Sequence, residues 1–239
     1  MTRTDGRGER DLRSLRLTTD FMKNAHGSVL IEWGRTRLLC TAMATPGVPA
    51  FLEGTDKGWL TAEYAMLPAS TPQRKTREIK RPDGRNTEIS RIIGRCLRTA
   101  VDMNALTGLT VYIDCDVIEA DGGTRTAAIT GGYVALALCV RKLLVEGMLT
   151  RSPLKDGVAA VSCGIVDGVP LLDLDYSEDS RAMADMNVAM SYSGGIVEVL
   201  CTAEKRPIKP KEMQTLLRYA QEGIETIIRI QHEAIGQNV

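Results

Sequence analysis

Alternating hydrophobic and polar positions in the first half of the chain predict several strands and then a helix. Residues 28–33, 37–44 and 59–67 are rich in β-branched and aromatic side chains and are bounded by glycine and proline, as expected of strands. A long loop follows at 68–85. From Thr87 onwards apolar side chains recur every three or four residues, which predicts an amphipathic helix. Its apolar stripe consists of Ile89, Ile92, Ile93, Cys96, Leu97, Ala100 and Val101.

A further strand and a long helix meet at a pair of glycines. Residues 109–120 alternate between the two faces of a strand, with apolar side chains at the odd-numbered positions from 111 to 117. The sequence DGG at 121–123 interrupts this alternation, and residues 124–149 predict a helix. The glycine pair is therefore expected at a junction between strand and helix.

The second half of the chain repeats the order of strands followed by a helix. Strands are predicted at 158–166, 169–176, 186–192 and 196–202. A helix is predicted from about Pro210 to Ile235, since proline suits a first helical turn. No linker rich in glycine, serine or proline separates the two halves. We therefore predict an α+β fold with two strand-then-helix halves, about 1–150 and 151–239, in a single domain spanning residues 1–239.

Composition is that of an ordinary globular protein. The chain has 239 residues, of which 44% are hydrophobic and 25% charged, so it can bury a sizeable core. Its six cysteines include no C-x-x-C pair and lie mostly in apolar runs, which predicts reduced, buried thiols. The N-terminus lacks the apolar region of a signal peptide, and no stretch approaches about 20 apolar residues. We expect a cytoplasmic protein with no membrane association.

A net charge of zero conceals two segments of opposite charge. Residues 71–98 hold nine basic and three acidic side chains, a balance of +6, whereas residues 167–204 hold eight acidic side chains and one arginine, a balance of −7. A basic segment suits phosphate backbones, and an acidic segment suits either metal ions or solvated turns. Charge by itself does not choose between these interpretations.

The sequence DGGTRT at 121–126 has the features of an anion site. Gly123 and its neighbour permit close approach of the backbone, and the start of the following helix offers unpaired N–H groups and the positive end of its dipole. Thr124 adds a hydroxyl group, and Arg125 adds a guanidinium that can bind two phosphate oxygens. The same residues also suit a tight turn capped by threonine. Neither a Walker A loop nor a G-x-G-x-x-G sequence is present, which argues against nucleoside triphosphate and dinucleotide cofactors.

Carboxylates cluster near the end of a predicted strand in the acidic segment. The group could hold Mg²⁺ or Mn²⁺, or one member could stay protonated as a general acid, and polar turn residues are the alternative. Its members are Asp173, Asp175, Glu178, Asp179 and Asp185. Arg85 precedes the first predicted helix, with Arg74 and Arg77 upstream in the loop. Arg85 would matter if it faced the same anion as Arg125.

Two absences from the sequence narrow the possible chemistry. The chain has only two histidines, so a zinc site or a histidine-dependent hydrolase is poorly supplied. No G-x-S-x-G sequence is present either, which argues against a serine hydrolase.

Several short sequences, in order along nearly the whole chain, resemble the bacterial ribonuclease PH family. The most specific combination is DGGTRT at 121–126, followed by EDS at 178–180 and DMN at 185–187. Supporting sequences are HGSVLIE at 26–32, WLTAEY at 59–64, GR at 84–85, EI at 88–89 and DCDVI at 114–118. Departures include Ala69, where the family often has arginine, and Cys201 in place of a common glycine.

The resemblance implies the ribonuclease PH fold, which is related to the second domain of ribosomal protein S5. It also implies a homohexamer built as a trimer of dimers. The implied reaction is phosphorolysis, in which inorganic phosphate shortens an RNA, such as a tRNA precursor, by one nucleotide and releases a nucleoside diphosphate. Phosphate would be held by Arg85, Gly123, Thr124 and Arg125, and Asp179 and Asp185 would bind Mg²⁺ or Mn²⁺ or donate a proton.

Two other functional classes remain open at this point. A catalytically silent ring subunit of an exosome-like assembly would bind RNA without cleaving it, although Arg85, Arg125, Asp179 and Asp185 all match the active family pattern. A simple RNA-binding module could use the basic segment around Arg74 and Arg77. Only 4% of the residues are aromatic, which leaves few side chains for base stacking.

Overall fold

The computed structural model describes residues 3–77 and 83–236, and in that part of the chain nine strands and four α-helices form. The strands are β1 Leu15–Thr19, β2 Gly27–Trp33, β3 Thr36–Pro46, β4 Trp59–Met66, β5 Leu109–Glu119, β6 Val158–Val166, β7 Val169–Leu172, β8 Ala184–Ser191 and β9 Ile196–Ala203. The helices are α1 Gly84–Thr99, α2 Thr124–Val145, α3 Tyr176–Asp179 and α4 Pro210–Ile235.

The strands form two sheets, one from each half of the chain. The first has the order β1-β2-β3-β5-β4, and its neighbours are antiparallel except for the parallel pair β4 and β5. The second has the order β7-β6-β8-β9 and is antiparallel throughout. The predicted alternation in β5 is confirmed, since its odd-numbered side chains from Val111 to Val117 are buried.

Helix α2 packs against both sheets and is buried on nearly all sides. Its small residues allow this close packing, because a Cβ atom on Gly131 would lie 2.8 Å from the Cys40 Sγ atom. One continuous hydrophobic core includes side chains of both sheets and of α1, α2 and α4. In the described residues α2 is also the one helix long and apolar enough to cross a membrane, but 78% of its most apolar window is buried in the protein, as in any core helix. The single-domain assignment stays a prediction.

Most of the predicted elements are confirmed, with differences at their ends. Helix α1 begins at Gly84 rather than Thr87, because the Asp83 side chain caps it by accepting a hydrogen bond from the Arg85 N–H. The strand predicted at 169–176 ends at Leu172, and a short helix follows from Tyr176. Helix α2 ends at Val145, four residues before the predicted end at 149.

Two features of the structure differ from what the sequence predicted. Strand β1 was not predicted, because its alternation of leucine with polar side chains is only five residues long and lies in an arginine-rich segment. Five of the six cysteines are buried free thiols, as expected, but Cys201 in β9 is only partly buried.

Candidate active site

The glycine pair lies directly before α2, as predicted, and both residues have positive φ angles. The angles are 80° for Gly122 and 69° for Gly123, in the left-handed region that favours glycine. A Cβ atom on Gly122 would lie 2.6 Å from the Leu174 carbonyl oxygen and 2.9 Å from the Tyr176 nitrogen. The turn therefore brings the start of α2 against the segment that leads into α3.

The carbonyl groups of this turn accept hydrogen bonds from side chains of the first sheet and of the segment before it. Arg13 Nη1 donates to the Asp121 carbonyl oxygen at 2.6 Å, and the Thr36 hydroxyl donates to the Gly122 carbonyl oxygen at 2.7 Å. The first backbone hydrogen bond of α2 runs from the Ala127 N–H to the Gly123 carbonyl oxygen. The preceding amides of the first turn have no partner inside the helix and remain available to an anion.

Two arginines with unpaired guanidinium groups belong to this site. Within the described residues, neither Arg85 nor Arg125 makes a side-chain hydrogen bond or an ion pair. The Arg125 Nε atom is buried and lacks a partner, which costs stability unless a ligand supplies an acceptor. Arg85 is exposed in the first turn of α1. Burial raises the pKa of Asp179, and the charges of both arginines act in the opposite direction.

Asp179 and Asp185 form the acidic side of the site. Asp179 ends α3, and Asp185 lies in β8. Desolvation is the main cause that raises the pKa of each carboxyl group, and the charge of Glu204 raises both further. The charge of Asp179 also raises the pKa of Asp185, so the two carboxylates repel each other.

This pair of carboxylates fits a magnesium or manganese ion. In the described ranges, no group of three or more histidine, cysteine, aspartate or glutamate side chains is arranged to hold a metal. A closed protein cage is therefore not formed there. Mg²⁺ is commonly bound by only one or two carboxylates, with water and substrate phosphate oxygens completing its coordination. A cation beside Asp179 and Asp185 would also relieve their mutual repulsion.

The other three members of the predicted carboxylate cluster have structural roles. Asp173 forms a buried ion pair of 2.6 Å with Arg13 and accepts a hydrogen bond of 2.9 Å from Trp33 Nε1. Glu178 forms a buried ion pair of 2.7 Å with Arg3. Asp175 caps α3 by accepting from the Glu178 N–H. Three of the five carboxylates therefore have structural roles, which leaves Asp179 and Asp185 as the candidates for chemistry.

Arg13 and Tyr64 were missed as members of the site. Arg13 connects Asp173 to the glycine turn, and Tyr64 donates from its hydroxyl to the Thr124 Oγ1 atom at 2.9 Å. The only feature of the sequence that pointed to Arg13 was the positive charge of the arginine-rich N-terminus, which is opposite to the charge of the acidic segment at 167–204. For Tyr64 the only signal was its position in the WLTAEY sequence.

The predicted RNA-binding arginines lie in the loop after β4. Arg74 and Arg77 are both exposed, and neither forms a hydrogen bond or an ion pair within the described residues. Lys80 and Arg81, which also belong to the predicted basic loop, lie outside the described residues. The structure thus leaves Arg74 and Arg77 accessible without placing either against the glycine turn.

Solved structures with the same architecture include three chains of low sequence identity. Rice (Oryza sativa) Rrp46 has a TM-score of 0.79 and 18% identity, covering 98% of this chain and 100% of its own. The Archaeoglobus fulgidus exosome with RNA bound to the active site has a TM-score of 0.80 and 22% identity, covering 95% and 91%. The archaeal exosome core has a TM-score of 0.76 and 21% identity, covering 97% and 90%. At these identities the likeness shows a shared fold.

The sequence itself matches two family profiles that follow each other along the chain. Residues 11–142 match the RNase PH profile, domain 1 of the 3′ exoribonuclease family. Residues 156–223 match domain 2 of the same family. The predicted ribonuclease PH fold is thereby confirmed, and the chain belongs to the 3′ exoribonuclease family.

Proposed function

We propose that this protein is a phosphate-dependent exoribonuclease of the bacterial ribonuclease PH type, which removes nucleotides from RNA 3′ ends as nucleoside diphosphates. One observation carries the proposal. Arg85 and Arg125, whose guanidinium groups have no hydrogen-bond or ion-pair partner within the described residues, both act on the Asp179 carboxylate, and Arg125 also acts on Asp185 from the first turn of α2 with its free amides. This combination offers an anion site for a nucleophile beside groups that can bind a cation or transfer a proton.

Inorganic phosphate is the nucleophile in the proposed reaction. The first turn of α2, with Gly123, Thr124 and Arg125, holds the phosphate together with Arg85. A phosphate oxygen attacks the phosphorus of the last phosphodiester, and the bond from that phosphorus to the 3′-oxygen of the preceding ribose breaks. The products are a nucleoside diphosphate and an RNA that is one nucleotide shorter, with the proton placed on its new 3′-hydroxyl.

Asp179 and Asp185 supply the cation site and the proton. Mg²⁺ or Mn²⁺, bound by these carboxylates, would neutralise negative charge at the scissile phosphate. A carboxyl group whose pKa is raised by burial holds a proton more readily than an ordinary aspartate and can release it to the departing 3′-oxygen. The reaction needs no histidine, in agreement with the sequence.

The RNA is expected to extend from this site towards Arg74 and Arg77. A chain of the same fold has been solved as part of an exosome with RNA bound to its active site, which supports RNA as the substrate class. The sequence resemblance supports tRNA precursors as the RNA and a homohexameric trimer of dimers as the assembly, and the proposed location is the cytoplasm. Light scattering tests the assembly: a mass near six times 26.1 kDa is expected, and an active monomer at micromolar concentration would contradict it.

A catalytically silent ring subunit is the second candidate, because the solved chains of this fold include exosome components. One assay separates the candidates: a synthetic RNA with a labelled 3′ end is incubated with Mg²⁺, with and without phosphate. Release of nucleoside diphosphate only with phosphate supports the proposed reaction. Release of monophosphate without added phosphate would indicate hydrolysis, and RNA binding without cleavage would favour the silent subunit.

A further inference from the structure

Tyr64 connects the two helices whose first turns carry the arginines of the candidate site. Its side chain is 5% exposed and lies between the first sheet and the helices. The Tyr64 N–H donates to the Ser90 Oγ atom of α1 at 2.9 Å, and the Tyr64 hydroxyl donates to the Thr124 Oγ1 atom of α2 at 2.9 Å. The proposed reaction assigns no role to this tyrosine.

The hydrogen bond to Thr124 decides which way the threonine hydroxyl can act. A hydroxyl group has one hydrogen to donate and two lone pairs that accept. When the Tyr64 hydroxyl donates into the Thr124 oxygen, the threonine hydrogen is free to point at another acceptor. A phosphate ion presents acceptors on every side, so this arrangement is complementary to it. The reverse orientation would direct threonine lone pairs at the anion.

The surroundings of Tyr64 favour the donating role. Burial raises the pKa of its phenol group above the usual 10.0, although the Thr124 hydrogen bond and the charge of Arg85 act in the opposite direction. The phenol therefore stays protonated at neutral pH. Hydrogen bonds arranged in a chain strengthen each other, so the first bond makes Thr124 a better donor to a ligand.

We propose that Tyr64 is a positioning residue for the anion site, which orients the Thr124 hydroxyl as a hydrogen-bond donor to bound phosphate. This inference rests on the proposed function in taking the anion to be phosphate. Tyr64 does not contact the anion in this arrangement, and its effect passes through Thr124. Removing its hydroxyl should then matter only while Thr124 has a hydroxyl to orient.

A double-mutant cycle tests this dependence. Tyr64→Phe, Thr124→Val and the double variant are compared by calorimetric titration with inorganic phosphate, which needs no turnover, and by the KM values for phosphate and for RNA. We expect Tyr64→Phe to weaken phosphate binding about tenfold, the scale of one hydrogen bond to a charged group. RNA affinity should stay unchanged. In the Thr124→Val background Tyr64→Phe should have no further effect.

Two controls separate positioning from packing. Thr124→Ser keeps the hydroxyl and should retain most of the phosphate affinity. Tyr133→Phe changes a second buried tyrosine, which lies in the same helix as Thr124 and packs on Tyr192. It should alter thermal stability without changing phosphate affinity.

The outcomes for Tyr64 and for the proposed function are distinguishable. The Tyr64 inference is overturned if Tyr64→Phe leaves phosphate affinity intact, or weakens it equally in the Thr124→Val background. In that case, phosphate-dependent diphosphate release by the parent protein would still support the proposed function. If the parent binds phosphate but releases no diphosphate, the proposed function fails while the cycle still decides the role of Tyr64.

Discussion

Asp185 lies in β8 with a pKa raised first by desolvation and then by the charges of Asp179 and Glu204. Its pKa in the folded protein is thus above the usual value of 3.8 for an aspartate, so folding penalises the ionised form. This penalty is fully present above the folded pKa and is relieved as the pH falls through the folded pKa towards the unfolded value. The same sign applies to Asp179. Both carboxylates therefore cost stability in the absence of a cation, as expected of functional groups.

We expect Asp185→Asn to lose activity and to gain stability. An amide keeps the shape of the side chain but can neither bind a metal as a carboxylate nor donate a proton as a carboxylic acid, so diphosphate release should fall about 10²–10⁴-fold. In metal-free buffer at pH 7 the unfolding temperature should rise, because the penalised charge is gone. Asp179→Asn should behave similarly. Activity at saturating Mg²⁺ and thermal unfolding are measured on the same preparations.

Asp114→Asn is the matched control for both variants. This half-buried carboxyl lies in β5 on the polar face of the first sheet, and its pKa is raised by desolvation and by the charges of Glu63 and Asp116. Its replacement should raise the unfolding temperature and leave turnover unchanged. If both Asp179→Asn and Asp185→Asn kept the turnover of the parent protein, these two residues would be polar turn residues with no role in catalysis.

Arg125→Lys tests the recognition of phosphate by the guanidinium group. Lysine keeps the positive charge but loses the planar fork, so phosphate affinity should fall by about 1.5–3 kcal/mol while RNA affinity changes little. Arg85→Lys should act similarly, and because both side chains would contact one small ion, the double change should be non-additive. Rate is titrated against phosphate at fixed RNA, beside a separate RNA-binding curve.

Arg151→Lys serves as the control for these arginine variants. Its side chain is 67% exposed and pairs with Asp102 at the surface, so neither phosphate nor RNA affinity should change. A different outcome for Arg125→Lys, weaker RNA binding with an unchanged dependence on phosphate, would mean that the glycine turn holds the RNA backbone instead.

At the scale of elements, local sequence was sufficient for most strands and helices. The predicted bounds of β6 and α4 agree with the structure, because the continuous apolar run of β6 and the apolar periodicity of α4 both end at clear turn residues. The start of α1 was placed three residues late, since the cap at Asp83 lies before the apolar periodicity begins. Strand β1 was missed because five residues give too short an alternation.

The candidate site could be predicted where its residues are close in sequence, and not where distant segments meet. The glycine turn and Arg125 belong to one short segment, and its location before a helix identified it. By contrast, Arg13 and Asp173 are 160 positions apart, and Arg3 and Glu178 are 175 apart. No local sequence pattern shows that Asp173 and Glu178 form ion pairs with these distant arginines. The sequence therefore predicted a cluster of five carboxylates, of which two remain without such a structural partner.

Gly122→Ala tests whether the turn needs glycine only for its positive φ angle or also because a Cβ atom would clash with the neighbouring backbone. Gly168 is the control, because it has a φ angle of 84° and nothing within 4 Å of an added Cβ atom. Gly168→Ala should cost about 1–2 kcal/mol of unfolding free energy from the left-handed angle alone. Gly122→Ala should cost more, because its Cβ atom would meet the Leu174 carbonyl oxygen at 2.6 Å.

Denaturant unfolding and phosphate titration of the two glycine variants separate these contributions. Gly122→Ala should also weaken phosphate binding, since the displaced turn carries the first amides of α2, whereas Gly168→Ala should bind phosphate normally. Equal unfolding costs for the two variants would show that the close approach to Leu174 contributes nothing.

At the scale of the whole molecule, the arginines of the proposed mechanism divide into a set proposed to bind phosphate and an outer set. Arg85 and Arg125 belong to helix starts at the site, whereas Arg74 and Arg77 are exposed on a loop after β4. An RNA whose 3′ end enters the site still has a long body to be held outside it. Copies of the outer loop from several subunits of a ring could converge on that body. The two sets should therefore respond differently to salt.

Arg74→Ala combined with Arg77→Ala should weaken RNA binding and leave phosphate affinity unchanged. Each arginine that neutralises an RNA phosphate releases counterions, so the slope of log affinity against log salt should become shallower by about 0.7 per lost contact on single-stranded RNA. The effect should be the same for RNAs of different sequence, because a phosphate contact carries no base information. Arg35→Ala is the control, since its side chain is 79% exposed and forms a surface ion pair with Glu119 at 3.8 Å. RNA affinity is measured by fluorescence anisotropy from 50 to about 200 mM salt, the range over which such contacts lose most of their strength. An unchanged slope in the double variant, together with an unchanged KM for RNA, would show that the loop after β4 does not hold the RNA and that the body of the substrate is bound elsewhere.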